Sequence, residues 1–465
     1  MPQTRLNILL ITVDDMDAVT PGAFGGPTGL TPHIDALAAE GMVFRRGHVA
    51  AAVCQPSRSA IMSGQWPHRN GAEGFEPVHQ STRLLTDLLR PMGYVCGILG
   101  KVQHLQPVEK FGWDVARDMR DLGMGRSPAR YGEETARFVA AASEAGRPWF
   151  LMANAHDPHR PFHGSVAERE KWTDEERASY PAPSGVVDVA TIPSPGFLPD
   201  LPQVRAEYHE YLASSRRADD VVGAVLAAVH SAGAAESTLV FFLSDNGMAF
   251  PFAKANCYLR SSLTPFVVRW PGVVTPGAQE STAFVSMLDI FPTVCKALGK
   301  GPGDVDGTSL LSLLIGAADP TARDHVFTVF HETSGKARLE MRCVQDARWG
   351  YVWNAWADGT TEYRAENMEG LTWAAMVEAA DPQIAQRVNF YLHRRREELY
   401  DLDSDPDCQD DLAGHPDHTA ALSRVRALMA AHLTAVGDPL AARYRADVGA
   451  ATAADDVPSR RAERG

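Results

Sequence analysis

One repeated unit constrains this chain more than any other feature. An apolar, β-branched run ends in polar residues and is followed by a helical pattern. LNILLITVDD (6–15) opens the series, and TPHIDALAAEG (31–41) then reads as a helix stopped at Gly41. STRLLTDLLRPMG followed by YVCGILGK (94–101) gives a second helix and strand, and RPWFLMANAHDPHRPF (147–162) reads as a third strand entering a loop. Apolar residues recur at helical spacing from Val204 to Ala232, before the buried strand STLVFFLSDNG (237–247). Strands alternating with helices predict an α/β fold with a mostly parallel sheet. In such sheets chemistry gathers at the carboxyl edge of the strands. The polar clusters fall there: Asp14-Asp15, Lys101 to His104, His156 to His159, and Asp245-Asn246.

Beyond about residue 330 the pattern shortens into strands and turns, LEMRCVQDARWGYVWNAW (339–356) and REELYDLDSDP (396–406), before a last helix from about His415 to Val436. We therefore divide the chain at 335, with a smaller C-terminal α+β unit over 336–448 and a frayed tail over 449–465. The Pro-rich segment 181–202 reads as a surface loop. A length of 465 residues accommodates two or three domains, or one large core with an annex.

Charge narrows the functional classes. With 44 Lys+Arg against 58 Asp+Glu the net charge is -14, which argues against a general nucleic-acid binder. It leaves room for a locally basic pocket. No apolar run approaches the ~20 residues of a membrane span, and Leu6 to Val13 runs into two aspartates rather than a cleavage site. The expectation is a soluble protein, cytoplasmic as written, with an exported form left open. The six cysteines (54, 96, 257, 295, 343 and 408) are scattered, without zinc-type spacing, and read as reduced buried thiols.

Asp14 and Asp15 repel each other unless a cation neutralises them, and oxygen donors favour a hard divalent ion. A helix cap or turn is the plain alternative, as a turn is for SDNG (244–247). The sharper signal is VCQPSRSAIMSGQWPHRNG (53–71), in which Cys54 is followed by Pro56, Ser57 and Arg58 at a helix start. A lone Cys is usually a packing residue. C-x-P-S-R, however, resembles the signature of the type I sulfatases of the alkaline-phosphatase-like superfamily, in which this Cys is oxidised to formylglycine. VDD, TPHIDALAAEG, GKVQH (100–104), HDPHRPF (156–162), SDNG and ELYDLDSDP (398–406) accompany it in family order. HDPHR, SDNGMAFPFAKANCY, MRCVQ and REELYDLDSDP look most like the sulfamidase branch, whose members are the N-sulfoglucosamine sulfohydrolases of glycosaminoglycan degradation. GKVQH has one residue more than the frequent G-K-x-H, a spacing similar to that of iduronate sulfatases. Position 254 is Lys, as in many O-sulfatases, where sulfamidases are expected to carry Arg.

The resemblance implies an alkaline-phosphatase-like fold and a sulfatase catalytic domain over 1–335. It makes Asp14, Asp15, Asp245, Asn246 and the modified Cys54 the shell of one divalent ion, calcium first, with magnesium or manganese as alternatives. Arg58, Lys101 and Lys254 would add positive charge around the sulfuryl group. Lys101, His159, Lys254 and His331 are the implied substrate contacts, and Glu332 stands beside the last of these. Formylglycine hydrate would attack sulfur, His104 would be the base that releases sulfate, and His159 the acid that protonates the leaving amine or alkoxide. His156 is read as a packing or hydrogen-bonding residue. The implied partners are a sulfated sugar or other small sulfated substrate and a formylglycine-generating enzyme, with no nucleic acid or membrane. A homodimer is left open. Three alternatives stand beside this: a phosphonate monoester or phosphodiester hydrolase of the same superfamily, an O-sulfatase acting on an aryl or sugar sulfate, and an anion-binding protein if Cys54 stays a thiol.

Overall fold

A computed structural model describes residues 6–185, 192–319 and 321–449. The central sheet has eight strands: β1 (Asn7–Val13), β2 (Met42–Phe44), β4 (Val95–Leu99), β5 (Val115–Arg117), β6 (Trp149–Ala155), β7 (Thr238–Ser244), β8 (Phe266–Arg269) and β9 (Ala278–Glu280). A small pair, β3 (Gly47–His48) with β10 (Val285–Ser286), lies apart. The order is β5-β4-β6-β1-β7-β8-β2-β9, parallel except where β8 meets β7 and β2. All seven residues of β1 are buried, as expected of a parallel strand covered on both faces. Its side chains alternate between two cores. Ile8 and Leu10 pack with Ile61, Met62 and Phe291, whereas Leu9, Ile11 and Val13 pack with Phe138, Val222 and Val225.

Register explains why the polar clusters meet. Val13 lies opposite Ala155 on one side and Ser244 on the other, so Asp14, His156 and Asp245 all begin their loops at one level. Two backbone bonds extend the alignment past the strands: Asp14 N–H donates to Asp157 O at 3.2 Å, and Asp245 N–H to Val13 O at 3.1 Å.

A second sheet is antiparallel, in the order β11 (His325–Glu332), β12 (Arg338–Asp346), β13 (Trp349–Asn354) and β14 (Glu397–Asp401). It takes in His325–Glu332, upstream of the boundary read at 336, because β11 pairs with β12 along most of its length. The helix Thr419–Ala435 covers one face through Val425, Met429 and Leu433. The other face, including Met341, Cys343 and Val352, packs with the segment Met248–Tyr258. That packing backs a loop of the central sheet onto the C-terminal unit. Of the Pro-rich segment, residues 186–191 lie outside the described residues, as does the tail from 450 onward. Among the described residues no helix is long and apolar enough to cross a membrane.

Candidate active site

The site begins at the helix Cys54–Ser63, every residue of which is buried. Cys54 stands in its first turn, and Ser57 Oγ donates to Asp245 O at 2.5 Å, tying that turn to the end of β7. Gly247 closes the β7 turn where no side chain fits: a Cβ there would lie 1.8 Å from Arg260 O. On the β1 side Asp15 takes a left-handed φ of 63°, and its N–H donates to Asp245 Oδ1 at 3.1 Å.

These turns bring three fully buried carboxylates together. Ligand atoms of Asp15, Cys54 and Asp245 lie within 4.8 Å of one another, as do those of Asp14, Cys54 and His159. Asn246 Nδ2 donates to Asp15 Oδ1 at 2.7 Å, and its Oδ1 lies 3.8 Å from Cys54 Sγ. Burial, followed by the charge of Asp245, pushes the Asp14 carboxyl up from 3.8 to about 7 despite Lys101 and Arg58. Carboxylate and amide oxygens packed this closely fit a hard divalent ion, which would relieve their mutual repulsion.

The cations divide into two layers. Lys254 faces the cavity, with Nζ 2.7 and 2.9 Å from the Asp15 oxygens and 3.3 Å from Cys54 Sγ. Burial opposes its charge, but Asp15 together with the other negative groups around it raises the ammonium well above its usual value. Arg58 lies behind the carboxylates. It donates to Thr12 Oγ1 at 2.6 Å and Asn154 Oδ1 at 2.5 Å, and pairs with Asp14 and with Asp245, the latter at 2.9 Å. Lys101 also pairs with Asp14. Neither Arg58 nor Lys101 lines the cavity. Their positive charge acts through the carboxylates they hold.

The cavity has a volume of about 750 Å³, with Asp15, Cys54, His104, His159 and Lys254 among its lining residues. His159 Nδ1 lies 2.6 Å from Arg160 O, an acceptor only, so Nδ1 carries the proton and Nε2, 3.9 Å from Asp15 Oδ2, is the free nitrogen. Burial and then Lys254 hold His159 well below 6.5; burial and then Lys101 do the same to His104. Both rings are neutral near pH 7. His156 is buried, 5.0 Å from the His159 ring, and does not line the cavity. Burial, ahead of nearby negative charge, raises the Cys54 thiol well above its usual value. An unmodified Cys54 is therefore a protonated thiol and a poor nucleophile.

His331 does not line this cavity. It is buried at 1% exposure with its Nδ1 3.6 Å from Glu73, because β11 carries it into the interior; Ser334, beyond the strand end, reaches the cavity instead. Glu332 is also absent from the lining.

Sequence reasoning passed over three residues. Asp157 is buried and bridges Arg126 (2.9 Å) and Arg217 (2.6 Å), fixing the loop that carries His159. Asn154, at the end of β6, accepts from Arg58 and Thr12 while donating to Gly100 O at 2.9 Å. Arg160, paired with Glu207, lines the cavity wall. Asp157 and Arg160 lie within HDPHR, where only the histidines carry an expected role.

The sulfatase sequence profile matches residues 6–300, more than half of the chain. The chain belongs to the sulfatase family. It is a hydrolase of sulfate esters or sulfamates. A second profile, that of the C-terminal part of N-sulphoglucosamine sulphohydrolase, matches residues 249–357. The human N-sulphoglucosamine sulphohydrolase is 28% identical over 467 aligned positions, covering 93% of this chain and 91% of that protein. Solved structures share the fold. One, a complex with its substrate D-glucosamine-2-N,6-O-disulfate, superposes with a TM-score of 0.70 at 15% identity over 94% of this chain and 99% of that one. The phosphonate monoester hydrolase of Agrobacterium radiobacter gives 0.65 at 19% identity over 95% and 96%. The alkaline-phosphatase-like fold expected from the sequence is the fold of this sulfatase.

Proposed function

We propose that this sulfatase removes sulfate from an N-sulfated amino sugar. In this reading Cys54 is matured to formylglycine, and Asp14, Asp15, Asp245 and Asn246 hold one divalent ion, calcium. The observation that carries the proposal is Cys54 itself. It sits buried at the cavity floor against Asp15, Asn246 and Lys254, in a setting that disables a thiol and suits a modified side chain. The similarity to N-sulphoglucosamine sulphohydrolase, which runs through the C-terminal unit, supports the sulfamate as the bond attacked.

The matured side chain would supply a hydrate hydroxyl as nucleophile, and the ion would neutralise the sulfuryl oxygens. The chain's own residues do the rest. Lys254 presents a fixed positive charge beside residue 54. His104, neutral and facing the cavity, is placed to accept a proton when sulfate departs. His159, oriented by its Nδ1–H bond to Arg160 O, leaves Nε2 free to take the proton given up by the attacking hydroxyl and pass it to the leaving nitrogen. Arg58 and Lys101 keep Asp14 and Asp245 in place.

The test compares N-sulfoglucosamine, an O-sulfated sugar and a phosphodiester on protein produced with a formylglycine-generating enzyme. Sulfate release fastest from the N-sulfated sugar supports the proposal. Preference for the diester by orders of magnitude supports instead the phosphonate or phosphodiester reading, which the shared fold motivates.

A further inference from the structure

The cavity is electrically two-sided. At its floor the lining carboxylate Asp15 is paired with Lys254. On its wall Glu207 is paired with Arg160 and also accepts from the N–H groups of Leu371 (3.1 Å) and Thr372 (2.8 Å), so its charge is spent within the protein. The described lining then holds four further carboxyl groups, Glu170, Glu210, Glu366 and Glu369, against a single remaining Lys or Arg, Lys171; burial and then Glu207 push Glu210 up to about 7, so the standing negative charge comes from the other three. Glu170 and Glu369 are exposed, and Glu210 and Glu366 are half-buried, whereas Cys54, Asp15 and Lys254 are buried. The acids therefore stand on the solvent side of the cavity and the reacting group on the inner side. They come from separate elements: the helix Val166–Lys171, the long helix Pro202–Ser231, and the turn Glu366–Met368 with the residue after it. Val166 and Leu371, 56% and 45% exposed, line the same cavity and offer apolar surface beside the acids.

We infer that this acidic mouth selects the leaving group: a sugar that is uncharged or carries an ammonium is accepted, and one carrying a second sulfate or a carboxylate is disfavoured. The inference rests on the sulfamate reading of the cavity floor, since it takes the sulfuryl group to lie against Lys254. Carboxylates accept hydrogen bonds from sugar hydroxyls, and apolar side chains pack against the C–H face of a ring. A second anion on the same sugar would face several carboxylates at short range. One unit charge about 8 Å from one of them, at an effective dielectric of about 40, is disfavoured roughly fivefold. Several of them, partly screened, give about tenfold.

The experiment uses the matured full chain and two sugars, N-sulfoglucosamine and glucosamine-2-N,6-O-disulfate, with N-desulfation followed as free amine. At low ionic strength kcat/KM is expected to favour the monosulfated sugar by about tenfold. That ratio should fall toward one at high salt and in the double variant Glu366→Gln, Glu369→Gln. Equal turnover, a preference for the disulfated sugar, or a ratio indifferent to both salt and the double variant would overturn the inference alone. Turnover of neither sugar would overturn the sulfamate reading and the inference with it.

Discussion

Replacing Arg58 by Met separates the structural and electrostatic parts of the site. Arg58 is fully buried and holds Asp14 and Asp245 while donating to Thr12 and Asn154. Met keeps much of the volume but leaves two carboxylates without their shared cation. Removing one partner of a buried ion pair costs about 3–5 kcal/mol. In the metal-free protein, at about 1–2 °C per kcal/mol for a chain larger than those giving 2–4 °C, thermal unfolding should fall by roughly 3–10 °C. The cost carries a definite pH sign. Asp14 is already raised to about 7 by burial and Asp245, and losing Arg58 moves it further up. A carboxyl whose folded value lies above its unfolded one destabilises progressively as pH rises from the unfolded toward the folded value. The difference between variant and wild type should therefore be larger at pH 8 than at pH 5. Added calcium should narrow it, because the ion replaces the lost charge. The assay is thermal unfolding of chelator-treated and calcium-loaded protein at both pH values. A deficit independent of pH and of calcium would mean that Arg58 acts by packing, and would refute the electrostatic reasoning.

Two further outcomes follow from the same geometry. Burial, then Lys101 and Arg58, keep His104 well below 6.5, so as a base it is ready throughout the neutral range; the acid limb of kcat/KM should lie below pH 6.5, and His104→Ala should lose about 10²–10⁴-fold in rate together with that limb. Burial acts to raise Asp157, but Arg217 and then Arg126 overcome it and hold the carboxyl below 3.8; its contribution is present above the unfolded value and lost as pH falls through the lower folded one, so Asp157→Asn should cost about 3–5 kcal/mol in neutral urea titrations and lose much of that difference below pH 4.

The fold was legible because its strands are marked twice, by apolar runs and by the polar residues that end them. The patterns of LNILLITVDD and STLVFFLSDNG alone place their polar ends at a common edge. The meeting of the acidic residues was legible for the same reason, since Asp14 and Asp245 each directly follow a parallel strand. Arg58 was placed near the right atoms but on the wrong side of them, because spacing along a helix does not say whether a charge faces a cavity or the carboxylates behind it. His331 was misplaced because β11 keeps both it and Glu332 off the cavity wall, which the chain reaches only at Ser334, beyond the strand end. Glu207, Glu366 and Glu369 had no sequence signal at all. Their meeting with His159 and Arg160 depends on packing between the long helix Pro202–Ser231 and residues after 360, which no local pattern encodes.

The most direct test is mass spectrometry of the peptide containing Cys54 from protein isolated from its native source. Conversion to formylglycine lowers the residue mass by about 18 Da relative to cysteine. The account predicts that the converted peptide accompanies sulfate-releasing activity. An unmodified Cys54 peptide in active protein would contradict it.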